Sequence, residues 1–595
     1  MMNARDNQIV MPASNLPSGV GMQRWNRMRE SVSGNYPSTR KVGARHFAGF
    51  LAASVALAVN LCANGAGQSA PPVAPQQAPA SAQSPKLQVA TRLVQVNVIV
   101  HDKNGNPVSG LTKNDFTIFD QGQPQTIAFM SEQTTKVASP ALTAIAQPAN
   151  LFSNRLQERY GVPPSVSVIL VDGLNTPMRY LAFAKNQVLK FLAQVQPQDR
   201  VALYGLSNKI YVLHDFTTDT AALQKALVGI SKLPQDQGNG TESMEDVVQT
   251  GMDPDFDAWA ASVVQAIKDF DTVNRVEQTA YALEAIANHL ASLPGRKNLI
   301  WISSSFPIQI NMDSVGNLSG YGGNGSGPQS FADEVEKCAR TLSNANVAIY
   351  PVDARGLVAS RGGVMGPAPD VNVMNVLADR TGGRAFYNTN DIAGSIRRAV
   401  EDARTTYVLS YYPSHNEWDG RFREIKVKVD RSGVDVRSRR GYFAFPDTPV
   451  SAKDKEQIMV EAAKNPLEST ELGLDVQASP VDVPGARQLR AKVTLDPAQL
   501  LLTRNGDRWS DSLEVKWVQL GEDGSVLIST SQTLNLNIPQ EKYEDAMHRS
   551  LSFNGSVDLT NNTTEIRLIA RDSGNGSIGT VNIPLRKMFA SAGGQ

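Results

Sequence analysis

From Val94 the chain alternates apolar and polar positions: Val94, Val96, Val98 and Val100 interleave with Gln95 and Asn97, a period of two that lays one face of a strand on a core. Turn chemistry at Asp102-Lys103-Asn104-Gly105-Asn106-Pro107 and at Gln121-Gly122-Gln123-Pro124 separates two further strands, Phe116–Phe119 and Ile127–Met130. So few strands are marginal alone. Residues 87–133 therefore read as an N-terminal β segment, followed over 134–163 by a linker low in charge and rich in Ala and Pro.

Beyond residue 164 the pattern changes to strands alternating with helices. The apolar run Val168–Val171 precedes Leu181, Ala184, Val188, Phe191 and Leu192 at helical spacing; strands at Val201–Leu206 and Ile210–Phe216 and a helix at Ala222–Ile230 follow. Thr279, Leu283, Ile286, Ala287 and Leu290 mark another helix closed by Pro294-Gly295, and Asn298–Ile302 returns to the sheet. Helix 331–345, strand Val347–Asp353, helix 371–380, strand Arg384–Tyr387 and helix 391–403 repeat the unit, Gly382 supplying a left-handed cap. The fold class expected is α/β: a doubly wound, Rossmann-like domain over 164–404, flanked by β-rich modules of immunoglobulin-like or sandwich type. Residues 235–275 read as an acidic insertion. The alternation becomes β again over 405–446, around Trp418-Asp419-Gly420, and over 455–595, which reads as a C-terminal β-sandwich. Two small β segments on either side of an α/β domain predict one composite β domain into which that domain is inserted.

Composition narrows the partners. With 57 basic and 57 acidic residues the chain has no electrostatic footprint for nucleic acid. Residues 1–66 place Arg24, Arg27, Arg29, Arg40, Lys41 and Arg45 before an apolar run, Phe47–Leu61, and small residues at 63–66, the plan of an export signal. The run is shorter than the roughly 20 residues a bilayer span needs. Membrane contact is thus expected only through an uncleaved signal, and the location is periplasmic, cell-surface or secreted. Residues 67–86, rich in Pro, Ala and Gln, read as a disordered tether. Once Cys62 is removed or lipidated, Cys338 is left without a partner for a disulfide.

The stretch Val168-Ile169-Leu170-Val171-Asp172-Gly173-Leu174-Asn175-Thr176 resembles the first strand and metal-site loop of a von Willebrand factor A (VWA) domain. Asp199-Arg200-Val201-Ala202-Leu203 and Thr381-Gly382-Gly383-Arg384-Ala385-Phe386 resemble VWA phrases in the same order. Pro294-Gly295-Arg296-Lys297-Asn298-Leu299-Ile300-Trp301, Val352–Leu357 and Arg439-Arg440-Gly441-Tyr442 are similar to the VWA-related proteins abundant in Acidobacteria, a group that implies no particular biochemical role.

The resemblance implies a divalent cation held by Asp-x-Ser-x-Ser and completed by a partner's carboxylate. Here Asp172 and Thr176 supply two oxygen ligands and Leu174 stands in the place of the first serine, so the metal site reads as incomplete. The second loop normally gives a threonine, for which Thr241 and Thr279 are candidates; the third gives an aspartate, where this chain has Ser303-Ser304-Ser305. The expectation is no firmly bound cofactor, with a weak Mg²⁺ or Ca²⁺ site through water left open. Asn175, Thr279, Ser303, Ser304 and Asp353 are the residues expected at a partner-binding surface.

Other constellations are weaker. Asp253-Pro254-Asp255-Phe256-Asp257 opens like a calcium loop, but Ala258 and Val264 occupy its glycine and glutamate positions, so the acidic insertion reads as a solvated flap. The Gly-rich segments 315–328 and 356–367 lack the lysine and hydroxyl ending of a phosphate loop. No G-x-S-x-G elbow occurs, and the histidines are scattered without metal-ligand spacing. Function is therefore expected to be non-enzymatic: an exported adhesion or scaffold protein that binds another protein. The alternative is an extracytoplasmic enzyme or enzyme subunit with an acidic site at the strand ends.

Overall fold

The computed structural model describes residues 93–134, 148, 150–157, 165–232, 254–304, 332–357, 371–415, 417–444, 452–483 and 486–590. The export signal, the tether, Thr241 and the glycine-rich segment 315–328 lie outside them, as does most of 356–367.

The first strands are β1 (Val94–Asp102), β2 (Phe116–Asp120), β3 (Gln123–Gln125), β4 (Ile127–Thr134) and β5 (Leu151–Ser153). The α/β region follows with β6 (Ser165–Asp172), α1 (Met178–Leu192), β7 (Val201–Leu206), β8 (Ile210–Thr217), α2 (Thr220–Leu227), α3 (Pro254–Leu290), β9 (Arg296–Ser303), α4 (Ala332–Asn344), β10 (Val347–Asp353), α5 (Val371–Thr381) and α6 (Ile392–Glu401). Next come β11 (Thr405–Tyr411), β12 (Phe422–Val429), β13 (Val434–Ser438), β14 (Gly441–Phe443) and α7 (Ala452–Lys464). The last part holds β15 (Leu474–Val483), β16 (Ala486–Leu495), β17 (Thr503–Asn505), β18 (Arg508–Leu520), β19 (Val526–Pro539), α8 (Gln540–His548), β20 (Leu551–Leu559), β21 (Glu565–Asp572) and β22 (Ile578–Pro584).

The central sheet runs β10-β9-β6-β7-β8, parallel except for β8. Both faces are covered, which is why its strands are continuous apolar runs rather than alternating ones. Val168, Leu170 and Trp301 pack with Leu283, Ile286, Val335, Leu342 and Leu377 of α3, α4 and α5. Ile169, Val171 and Ile300 pack with Leu181, Val188, Leu223 and Ile396 of α1, α2 and α6. Helix starts follow local chemistry: Asp219 accepts from the amides of Ala221 and Ala222 ahead of α2, and Asp391 from that of Gly394 in α6.

Strands before and after this sheet hydrogen-bond to one another. β1 lies between β11 and β13, with Val96 opposite Leu409 and Val100 opposite Val436, and β2 pairs β12 with Ile118 opposite Val427. The two resulting sheets, β13-β1-β11-β4 and β14-β12-β2-β3, enclose Val96, Val98, Ile118, Tyr407, Leu409 and Ile425. In the last part, β20-β16-β15-β5 and the sheet containing β17, β18, β19, β21 and β22 share a second core, with Val476, Leu489, Val493, Trp517, Leu568 and Val581 buried in it.

Three expectations are corrected. Leu151–Ser153, inside the segment read as linker, is a strand on β15, and Asn154 donates to the carbonyls of Ser469 and Leu472, because a buried amide seeks carbonyl partners. The helix containing Thr279 begins at Pro254, so the insertion boundary drawn at 275 runs through a continuous helix; proline suits its first position, where an N–H would have no partner. Arg384–Tyr387 forms only a bridge, Phe386 to Val352, instead of a full strand.

The phrase Arg296-Lys297-Asn298 also gains a structural meaning. These three polar side chains are buried, and each donates to a backbone carbonyl: Arg296 to Gly382, Lys297 to Leu293 at 2.7 Å, Asn298 to Ala399 at 2.6 Å.

Candidate functional site

In chain order the sheet grows from β6 first toward β7 and β8, then from the other side of β6 through β9 and β10. The reversal lies between β6 and β9, and open sheets place ligands outside the carboxyl ends of the strands at such a point. Asp172 ends β6 and Ser303 ends β9. Ser303 in turn lies opposite Asp353, which ends β10.

Asp172 is fully buried. Its Oδ1 accepts from the Asn175 backbone N–H at 2.9 Å, and its Oδ2 from Asn175 Nδ2 at 2.9 Å and Trp301 Nε1 at 3.0 Å. Burial pushes the Asp172 carboxyl above the usual carboxylate range, against the opposing pull of hydrogen bonds from Asn175, Trp301 and Ser303. Asn175 Nδ2 also donates to Thr279 Oγ1 at 2.8 Å, and that hydroxyl in turn donates to the Arg275 carbonyl at 2.6 Å. One amide nitrogen thus ties the β6 loop to α3. On the other side, Thr176 Oγ1 accepts from the Ser304 N–H at 3.1 Å, and Ser304 Oγ donates to the Asn175 carbonyl at 3.1 Å. Leu174 turns into the core that holds Trp301 and Leu283.

Asp353 stands apart from this knot in its bonding. Its carboxylate accepts from Arg355 three times, from the backbone N–H at 2.9 Å, from Nε at 3.0 Å and from Nη2 at 2.9 Å, so its charge is met within its own loop.

A hard divalent cation needs several free oxygens with carboxylate charge. The residues here do not fit that need. Both oxygens of Asp172 face N–H donors, the Asn175 amide presents hydrogens toward the two oxygens a cation would share, and Asp353 is neutralised by Arg355. Among the described residues, no group of three or more His, Cys, Asp or Glu side chains is placed to hold a metal.

No family model and no curated protein matches the sequence. Solved structures do. A von Willebrand factor type A protein from Catenulispora acidiphila is 9% identical with a TM-score of 0.23, over 78% of this chain and 75% of that one. BatB from Bacteroides thetaiotaomicron is 12% identical with a TM-score of 0.21, over 40% of this chain and 98% of its own. The ArnB paralog VWA2 from Sulfolobus acidocaldarius is 8% identical with a TM-score of 0.20, over 80% and 78% of the two chains.

Of the residues expected at the site, the structure brings Asp172, Asn175, Thr176, Thr279 and Ser304 into one hydrogen-bonded knot, with Ser303 bonded to Asp172. Trp301 and Arg355 were not among them. Arg355 carries a local signal, a cation two residues after an aspartate; Trp301 carries none, because its indole meets Asp172 only through strand pairing. The remaining polar candidates are packed elsewhere: His289 Nδ1 lies 2.7 Å from the Glu468 carbonyl, and burial pushes the Cys338 thiol well up, away from nucleophilic thiolate.

Proposed function

We propose that the chain is an exported, non-enzymatic protein-binding protein of adhesion or scaffold type, in which a doubly wound, VWA-like module binds without a cation at a degenerate metal-ion-dependent site. The observation that carries this reading is the Asn175 amide, whose one nitrogen donates to both Asp172 and Thr279, two residues that the resemblance would offer to a cation. The strand order, with β6 at the centre and an antiparallel edge at β8, supports the VWA-like part. Burial of Asp172 and Asp353, 0% and 1% exposed, keeps both carboxylates out of reach of a substrate's proton, which supports the non-enzymatic part. Export is supported by the basic and then apolar N-terminus. The reading assigns contact with the protein ligand to Met178 and Leu357, which follow the carboxyl ends of β6 and β10 and are 52% and 60% exposed.

Two measurements test the reading. Thermal denaturation of the chain is expected to be the same with Mg²⁺, Ca²⁺, Mn²⁺ or a chelator, since a ligand binding only the native state would raise its stability. Asn175→Asp, which removes the amide donor and sets a second carboxylate beside Asp172, is expected to acquire a cation-dependent rise. A cation-dependent rise in the unaltered chain would sink the metal-free reading. For binding, comparative affinity capture from a cell-envelope extract should retain a defined protein, and Met178→Asp with Leu357→Asp should weaken that capture about tenfold at an unchanged melting temperature, as for residues at the centre of an interface. Identical capture by both chains would place binding elsewhere.

A further inference from the structure

Among the described strands, β19 has an unusual edge. It runs antiparallel to β18 from Val526 opposite Leu520 to Pro539 opposite Arg508, and among the described residues no strand pairs with its other side. None of its 14 residues is charged, and its only proline is the last. Positions 526–533 are all exposed, and Val526, Leu527 and Ile528 retain 45%, 41% and 46% of their surface. The opposite edge of the same sheet is handled differently: β22 is covered by the segment before β15, with Leu472 N–H donating to Ile578 and Thr580 N–H to Ser469. An exposed edge is a row of unmet N–H and C=O groups, and soluble proteins usually blunt it with charges, proline, a bulge or a covering segment. β19 shows a register irregularity only at its hairpin end and no charge anywhere.

We propose that β19 is a self-association edge, pairing antiparallel with β19 of a second copy about a two-fold axis so that one sheet continues through both chains. The occupant follows from the composition of the strand. An uncharged strand laid against itself opposes no like charges, and its middle, Ser529-Thr530-Ser531-Gln532-Thr533, supplies neutral hydroxyl and amide pairs across the axis. A two-fold pairing is closed: it consumes the free edge of each copy and stops there, whereas an unconsumed edge keeps recruiting. At roughly 3.4 Å per residue, the strand is long enough for on the order of a dozen backbone hydrogen bonds between copies. This edge belongs to the last part of the chain and is independent of the ligand face at β6 and β9.

Sedimentation velocity of the full chain tests it. A dimer is expected at about 10 μM, a concentration at which an interface of ordinary size is populated. Ser529→Lys with Ser531→Lys, both on exposed positions, should give a monomer with unchanged circular dichroism and melting temperature, and so should Ser529→Glu with Ser531→Glu. Mixing the lysine and glutamate chains should restore the dimer, because the opposed edges then attract. A monomeric unaltered chain, a dimer that survives both double substitutions, or a mixture that stays monomeric would each overturn the proposal.

Discussion

Lys297→Met is expected to stabilise the protein at neutral pH by on the order of 3 kcal/mol, and the gain should shrink as the pH is raised. Lys297 is 1% exposed at the start of β9, opposite Val166 and Val347, and among the described residues its amine donates to one carbonyl, that of Leu293, at 2.7 Å. Burial pushes its pKa down to about 7, from an ordinary value of about 10.4 in the unfolded chain. Because the folded value is the lower one, the unfolded chain holds more protons between them. The stability contributed by the neutral amine is therefore complete above about 10.4 and is lost progressively as the pH falls to about 7. That interval is worth on the order of 5 kcal/mol, from which about 1 kcal/mol is withdrawn in the variant for the Leu293 carbonyl left without a donor and some more for imperfect repacking. Methionine keeps the unbranched stem and so the packing. Urea denaturation of both chains across neutral to alkaline pH reads the difference directly. A difference independent of pH would show that Lys297 is solvated in the folded protein.

Asp402→Ala should cost about 3–5 kcal/mol, the usual loss when one member of a buried ion pair is removed. Asp402 follows α6 and accepts from Arg437 of β13 at 2.6 and 2.7 Å and from the Tyr350 hydroxyl of β10 at 3.0 Å, while His101 of β1 lies 3.6 Å away. One carboxylate therefore joins the α/β region to the paired strands around it. Its removal leaves the Arg437 guanidinium facing His101 Nδ1, 2.9 Å away, with the exposed Asp435 carboxylate at 3.6 Å in place of the close, buried one, and leaves the Tyr350 hydroxyl without the acceptor it uses. The double substitution Asp402→Ala with Arg437→Leu should lose much less than the sum of the losses in Asp402→Ala and Arg437→Leu alone, because no unpaired charge remains buried. Thermal melts of the four chains complete the cycle. Strict additivity would mean that the two groups do not interact in the folded protein.

Elements carried by a long hydrophobic period are legible in the chain itself. The runs Val168–Val171 and Val347–Val352, the helical spacing from Leu181 to Leu192 and the alternation from Val94 to Val100 each encode their own element. Short or sparsely paired elements are not legible in this way. Leu151–Ser153 is three residues whose strand character comes wholly from β15, and Phe386 contributes one bridge. The start of α3 does carry a signal, acidic residues around a proline at a first helical position, but acidity alone reads equally well as a solvated flap. The repeated phrases are legible as markers and not as chemistry. Gly383 shows why: a Cβ there would sit 1.8 Å from the Ile349 carbonyl, so the glycine serves close packing.

Periodicity along the chain identifies the strong strands and helices and puts Asp172 and Thr176 in one loop at a strand end, since these features depend on residues within a turn or two of each other. The use of that loop depends instead on residues remote in the chain. Asn175 meets Thr279 from 104 positions away, and Trp301 reaches Asp172 from 129. A buried carboxylate takes its character from the donors that folding brings to it, and no local pattern specifies those.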